Sequence, residues 1–343
     1  MSGHDGGARH RSVRGAADAA PLDATSGPDA AAARPVPGPI AVLPDASAEL
    51  VAAVESAGGV LAPLGDETRG IVWTANDGAA ELAAVLRERR GIGWVQLPWA
   101  GVDAFAGLLG EARGDGRTWT SGKGAYAQPV AEHALALALA LLRELPRRAA
   151  ATTWQPDERG RSLYGAEVVV LGAGGVAVEL LRLLEPFRVR ATVVRRRPGA
   201  VPGAERTVTV DRLAEAVSGA ELLFVAAALT EDTRGIVDAG VLAALAPGAI
   251  VVNVGRGAVI ETEALVAALE DGRLGGAGLD VTDPEPLPAG HPLWAIEHCL
   301  VTPHVADTEE MTAPLYAERV AENVRAFLGD GRFVGRIDLE HGY

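Results

Sequence analysis

The sequence predicts an α/β protein of two lobes, each built on a doubly wound parallel β-sheet covered by helices on both faces. Three observations lead there. Short apolar runs alternate with helical patterns along nearly the whole chain, the rhythm of strand–helix–strand units. The runs are near-continuously apolar, as strands buried on both faces must be. A length of 343 residues suits two domains rather than one or three.

Taken in order, residues 1 to about 37 are rich in Ala, Gly, Pro, Asp and Arg and cannot bury enough surface to order themselves. They are expected to form a disordered tail, and they lack the apolar stretch of a signal peptide. "PIAVLP" then reads as a strand, "SAELVAAVESAG" as a helix ending at Gly58, and "GVLAPL" as a strand. "GIVWTA" is a strand, "GAAELAAVLRERRG" a helix and "IGWVQLP" a strand. One long helix is expected over "VAEHALALALALLRELPRRAAA" (residues 130–151), linking the lobes. The second series runs through "AEVVVLGAGGVAVELLRLLEPF", "RATVVRRR", "AELLFVAAAL", "AGVLAALAPGAIVVNVG", "ETEALVAALEDG", "GAGLDVTD" and "CLVTPH". A last helix, "TAPLYAERVAENVRAFL", closes the chain.

Composition removes several classes of function. A net charge of −14 argues against a nucleic-acid partner, which needs clustered Lys and Arg. The most apolar run, "ALALALALL", spans residues 134–142, far short of the ~20 residues of a membrane helix, so no membrane span is expected. Cys299 is the single cysteine, which rules out an intrachain disulfide and a cysteine-based metal site and fits a cytoplasmic protein. No metal is expected.

The first chemical signal is "VVVLGAGGVAVELL", where Gly172, Gly174 and Ala177 form a G-x-G-x-x-A pattern between a strand and a helix. Gly172 permits the tight turn, Gly174 lets a pyrophosphate approach the backbone, and Ala177 allows close helix–strand packing. Gly175 and Val176 carry the first free N–H groups of the helix toward the phosphates. The next strand ends in Arg195, Arg196 and Arg197 where an acidic residue would grip a ribose 2′-hydroxyl. Arginine there can grip a 2′-phosphate bidentately, so NADP is expected over NAD.

The second signal is a set of residues at later strand ends. Arg256 lies between glycines in "VVNVGRGAVIETEAL", Asp280 and Glu285 lie in "GAGLDVTDPEPLP", and His304 ends "CLVTPH". Ligands of doubly wound sheets bind beyond the carboxyl ends of the strands, so these residues leave the same edge. A histidine beside a carboxylate and an arginine suits a reaction that puts negative charge on a carbonyl oxygen.

The run "LGAGGVA", "ALTEDTRGIVDAGVLAALAPGAIVVNVGRGAVIETEAL", "GAGLDVTDPEPLP" and "VTPHVA" resembles the D-isomer-specific 2-hydroxyacid dehydrogenase family, over about residues 90 to 328. The resemblance implies two Rossmann-like lobes, with a dinucleotide-binding lobe at 126–309. The substrate lobe, made of 38–125 and 310–343, would be discontinuous in sequence. It implies that Arg256 holds the substrate carboxylate and polarises the carbonyl, that His304 is the acid/base, and that Glu285 orients His304. Asp280 would contact the nicotinamide. The loop "LPWAGVD" resembles the family's substrate loop, with Trp99 at the pocket and backbone N–H groups of Ala100 and Gly101 taking the carboxylate. It further implies a 2-oxo or 2-hydroxy acid as substrate and a homodimer, for which the Ala/Leu-rich helix at 130–142 is suited, although a core helix would look the same.

Two features depart from the family pattern. Ala228 stands where proline is frequent. Asp307 follows His304 closely, and either raises the histidine's pKa or points to solvent. His133 is expected to be structural. A nicotinamide-sensing module without turnover, and formate or phosphite oxidation, are the alternative functions. The joint presence of Arg256, Glu285 and His304 favours the enzyme over the module, and no feature selects formate or phosphite.

Overall fold

The computed structural model describes residues 34–340. The expected tail at residues 1–33 lies outside them, whereas residues 34–37 are laid against the body. Pro35 is buried, and Arg34 Nη2 donates to the Leu328 carbonyl at 3.3 Å.

The first lobe is built from β1 (Ile40–Leu43), α1 (Ala48–Ser56), β2 (Gly70–Trp73), α2 (Ala79–Glu88), β3 (Trp94–Gln96), α3 (Ala106–Glu111) and β4 (Thr118–Thr120). Its sheet is parallel in the order β1-β2-β3-β4. Ser47 starts α1 by accepting the Leu50 N–H at 3.2 Å, a side-chain cap for one of the helix's orphan donors. The strand expected over "GVLAPL" shrinks to a single parallel bridge, Leu61 to Ile40, on the outer side of β1. The chain therefore winds both ways from β1. Strand β4 escapes sequence reading because Thr-Trp-Thr is mostly polar. Its hydroxyls are satisfied inside the sheet: Thr120 Oγ1 accepts from Trp94 Nε1 at 2.9 Å and donates to Gln96 Oε1 at 2.8 Å.

The expected linking helix is two helices, α4 (Ala127–Leu142) and α5 (Leu145–Ala150). Glu144 turns left-handed between them at φ 50°, and Pro146 has no N–H with which to continue α4.

The second lobe comprises β5 (Glu167–Leu171), α6 (Gly175–Leu184), β6 (Arg190–Arg195), β7 (Arg206–Thr209), α7 (Leu213–Ala216), β8 (Leu222–Val225), α8 (Ala239–Ala244), β9 (Ala249–Asn253), α9 (Thr262–Glu270), β10 (Leu274–Leu279) and β11 (Cys299–Val301). Its seven strands are parallel in the order β11-β10-β9-β8-β5-β6-β7, so the winding reverses at β5. Strand periodicity explains the apolar runs. Val168, Val170, Phe224, Ile250 and Val252 join a core with α4 and α6, while Val169, Leu171, Leu223, Val225 and Val251 join another with α8 and α9. Successive residues point to opposite faces, and both faces are covered. The Ala/Leu-rich helix α4 is thus used within its own lobe.

After β11 the helix α10 (Glu309–Leu328) crosses back to the first lobe. Tyr316, Val320, Val324 and Phe327 pack there with Ile40, Val72 and Trp94, and each such burial stabilises the fold by roughly 1.5–3 kcal/mol. Beyond α10, Arg336 bridges Thr120 antiparallel and closes the far edge of the small sheet. No helix among the described residues is long and apolar enough to cross a membrane.

Candidate active site

Because the large sheet is parallel, the loops after β5, β6, β9, β10 and β11 leave it at one edge, with the winding reversal at β5 in their midst. At Gly172 the backbone takes φ +116°, and a Cβ would lie 2.6 Å from the Ala226 carbonyl oxygen. Only glycine permits both the turn and the approach. Gly174 caps α6 without a side-chain hydrogen bond, and nothing lies within 4 Å of where its Cβ would be. Gly175 is the first residue of the helix, and Val176 follows it half-buried. Open space above unmet N–H groups at the positive end of a helix fits a pyrophosphate. Arg195 ends β6, half-buried, beside β5, with Arg196 exposed after it. Arg197 points elsewhere, 3.8 Å from Asp338 of the C-terminal segment.

His304 and Glu285 come together across 19 residues of sequence, with His304 Nδ1 2.7 Å from Glu285 Oε1. Both side chains are nearly half exposed, at 47% and 41%, and so open to a small molecule. The backbone of His304 is left-handed, at φ +54°, a conformation costing an L-residue about 1–2 kcal/mol. Its neighbours hold it there. His304 N donates to the Asp280 carbonyl at 2.8 Å, and Val305 N and Ala306 N donate to Asp280 Oδ1 and Oδ2 at 3.0 and 3.1 Å. Thr302 Oγ1 donates to Oδ1 at 2.6 Å, and His133 Nε2 lies 2.9 Å from that hydroxyl.

The Asp280 side chain is 1% exposed, and both of its oxygens accept from the loop that carries His304. His133, expected to be structural, stands one residue away from that loop's anchor. Thr302 was in view within "VTPH", but only the fold shows what it touches.

Arg256 leaves β9 through a turn locked by Asn253, whose Nδ2 donates to the Arg256 carbonyl at 3.0 Å and whose Oδ1 accepts Gly255 N at 3.0 Å. Its guanidinium reaches the other lobe. Nε and Nη2 donate to Asp103 Oδ2 at 3.2 and 3.1 Å, and Nη1 donates to the Gly255 carbonyl at 2.8 Å. A Cβ on Gly101 would overlap Arg256 Nη2, so glycine is what lets the loop after β3 and Arg256 meet. Asp103 lies two residues beyond Gly101, and its pairing with Arg256 was missed because 153 residues of chain separate the two. Ala100 is exposed at the tip of that loop. Trp99 packs rather than gapes: its Nε1 donates to Asn76 Oδ1 at 2.5 Å and its ring stands 5.5 Å from Tyr126.

Asp307 turns inward. Burial raises its pKa, the nearby His304 and Arg256 side chains lower it, and Asp280 raises it, for a net upward shift. One carboxylate therefore senses His304, Asp280 and Arg256 together. Burial pushes the Cys299 thiol up to about 12, leaving it unreactive. Among the described residues no group of three His, Cys, Asp or Glu side chains is placed to hold a metal ion.

Comparison with known proteins gives this geometry a family. Residues 135–306 match the D-isomer specific 2-hydroxyacid dehydrogenase, NAD binding domain. An uncharacterized protein from the proB 3′ region of Corynebacterium melassecola is 36% identical over 256 residues, covering 73% of this chain and 83% of that protein. The glyoxylate reductase/hydroxypyruvate reductase of Mus musculus is 31% identical over 213 residues, 60% of this chain and 65% of its own length. The structure of a D-isomer specific 2-hydroxyacid dehydrogenase from Xanthobacter autotrophicus Py2, in complex with NADPH and MES, superposes with a TM-score of 0.74 at 28% identity, covering 90% of this chain and all of that one.

Proposed function

This chain belongs to the D-isomer specific 2-hydroxyacid dehydrogenase family, and from that premise we propose that it reduces a small 2-oxo acid, such as glyoxylate or hydroxypyruvate, to the 2-hydroxy acid (the D isomer wherever C2 becomes a stereocentre), using NADPH in preference to NADH. The observation that carries the reading is the His304–Glu285 pair at 2.7 Å, standing on the same sheet edge as Arg256 and the glycine turn.

The chemistry follows from what these groups can do. Gly174, Gly175 and Val176 would hold the pyrophosphate, and Arg195 with Arg196 the 2′-phosphate. Hydride for the substrate's C2 is what a bound nicotinamide contributes. Arg256 binds the substrate carboxylate and polarises the carbonyl, exchanging Asp103 for the incoming carboxylate on its fork of donors. The amides of Ala100 and Gly101 support that carboxylate, and Trp99 walls the loop. Negative charge then grows on the carbonyl oxygen, and His304 delivers the proton from Nε2. Glu285 accepts the Nδ1–H, which fixes the ring's orientation. A homodimer through the dinucleotide lobe belongs to the same reading. It is supported by Leu145, Trp154 and Tyr164, which are 51%, 93% and 65% exposed.

The test is loss of NADPH and NADH absorbance with a panel of 2-oxo acids led by glyoxylate and hydroxypyruvate. Turnover with NADPH well above NADH is expected. Faster turnover with NADH would keep the reductase and reduce Arg195 and Arg196 to surface charges. Tight dinucleotide binding without turnover on any acid would overturn the reductase in favour of a sensing module.

A further inference from the structure

We propose that His133, on helix α4, is a positioning residue for His304, acting through Thr302 and the Asp280 carboxylate. Its description as aligning an acid/base rests on the reductase reading; the alignment itself does not.

The direction of the hydrogen bonds can be worked out. Val305 N and Ala306 N can only donate, and they occupy Oδ1 and Oδ2 of Asp280. Thr302 has a single hydroxyl proton, and at 2.6 Å from Oδ1 it gives that proton to Asp280. The hydroxyl oxygen is left with lone pairs alone to offer His133 Nε2 at 2.9 Å. His133 therefore carries its proton on Nε2 and donates, with Asp280 Oδ1 a second acceptor 3.5 Å away.

The chain of donors ends on the backbone flanking His304. Thr302 stands two residues before it, and Val305 and Ala306 follow it. One carboxylate thus grips both sides of a residue whose φ of +54° an L side chain rarely adopts. Asp280 is itself steered by Thr302, and Thr302 by a histidine on a helix packed firmly against β9 and β10. If the carboxylate rotates, Val305 and Ala306 lose their acceptor and His304 loses its alignment with Glu285. A satisfied core histidine would do none of this. What separates the two roles is the need for a donor at the Nε2 position, not for bulk.

Two variants isolate that need. His133→Leu keeps most of the volume and removes the donor; His133→Gln places an amide N–H₂ near the Nε2 position. Each holoprotein would be examined by amide hydrogen exchange at Val305 and Ala306, by kcat and KM for the 2-oxo acid, by dinucleotide Kd and by Tm. In His133→Leu, exchange at Val305 and Ala306 should rise, and kcat should fall, each roughly tenfold. KM and Kd should stay within about twofold. His133→Gln should restore most of both losses. Leu and Gln behaving alike, whether both near wild type or both impaired, would overturn the donor role. The exchange data separate this proposal from the reductase reading. A wild-type protein without turnover whose Leu variant alone frees Val305 and Ala306 would retain the positioning and discard the reductase. An active protein with unchanged exchange in both variants would do the reverse.

Discussion

After β5 the backbone amides of Gly174, Gly175 and Val176 face open space without a side-chain cap. After β11, on the same edge of the same sheet, every N–H from Thr302 to Ala306 that exists is taken, one by the Leu279 carbonyl and three by Asp280. The two loops differ in what their donors wait for. A loop that binds a large anion is built by leaving backbone donors unmet, where the helix end makes that tolerable. A loop that must present one side chain at a set angle is built by meeting all of them, so that a strained residue can be held. The two loops differ in the state of their backbones as much as in the identity of their side chains.

Three substitutions bear on this contrast. His304→Ala removes the proposed acid/base from the tied loop, and kcat should fall by about 10²–10⁴-fold. Dinucleotide Kd, set at the other loop, should be unchanged; a weakened Kd would show the two loops are not separable. Gly174→Asp attacks the open loop. Its backbone is extended and a Cβ meets nothing within 4 Å, so the fold should hold, while a carboxylate at the helix end competes with the pyrophosphate. Dinucleotide affinity, followed by fluorescence titration, should drop roughly tenfold or more, with Tm little changed.

The smallest effect concerns Asp307, the one ill-placed charge next to the tied loop. Its pKa is raised, chiefly by burial, so the folded chain holds this proton more tightly than the unfolded chain. Its contribution to stability is full below the ordinary carboxylate range, declines as pH climbs through the raised folded value, and stays low above it. Asp307→Asn should therefore raise Tm by roughly 1–2 °C at pH 7 and leave it unchanged near pH 3. A lower Tm at pH 7 would show that its attraction to His304 and Arg256 outweighs its burial.

The open loop was legible because its parts are adjacent in sequence: strand, glycines, helix. Arg256, Glu285 and His304 were legible as members of a set, each marked by the strand before it. The partners that hold them were not. Asp103 meets Arg256 across 153 residues of chain, and His133 meets Thr302 across 169. Such pairs leave no periodicity behind. Nor does a carboxylate at a strand end announce that two amides will close over it, as they do over Asp280. The missed strands have local reasons. β4 hides behind threonines, one of which is satisfied by Trp94 and Gln96 of the neighbouring strand, and β7 is a sheet edge whose residues are half covered. The break at Glu144 was written in Pro146, which the helical run around it masked.

The return of α10 has a consequence in time. Asn323, fully buried, donates to Gln96 Oε1 at 2.7 Å and to the Val334 carbonyl at 2.9 Å, and accepts Val334 N at 2.8 Å. The polar row inside the first sheet is thus completed by residues made more than two hundred positions later. On the ribosome the lobe synthesised first must stand without Tyr316, Val320, Val324 and Phe327 while the whole second lobe is made, and that lobe is contiguous and can close by itself. The order of birth and the order of completion are reversed. A chain ending before residue 309 would lack Tyr316, Val320, Val324 and Phe327 from the core of its first lobe.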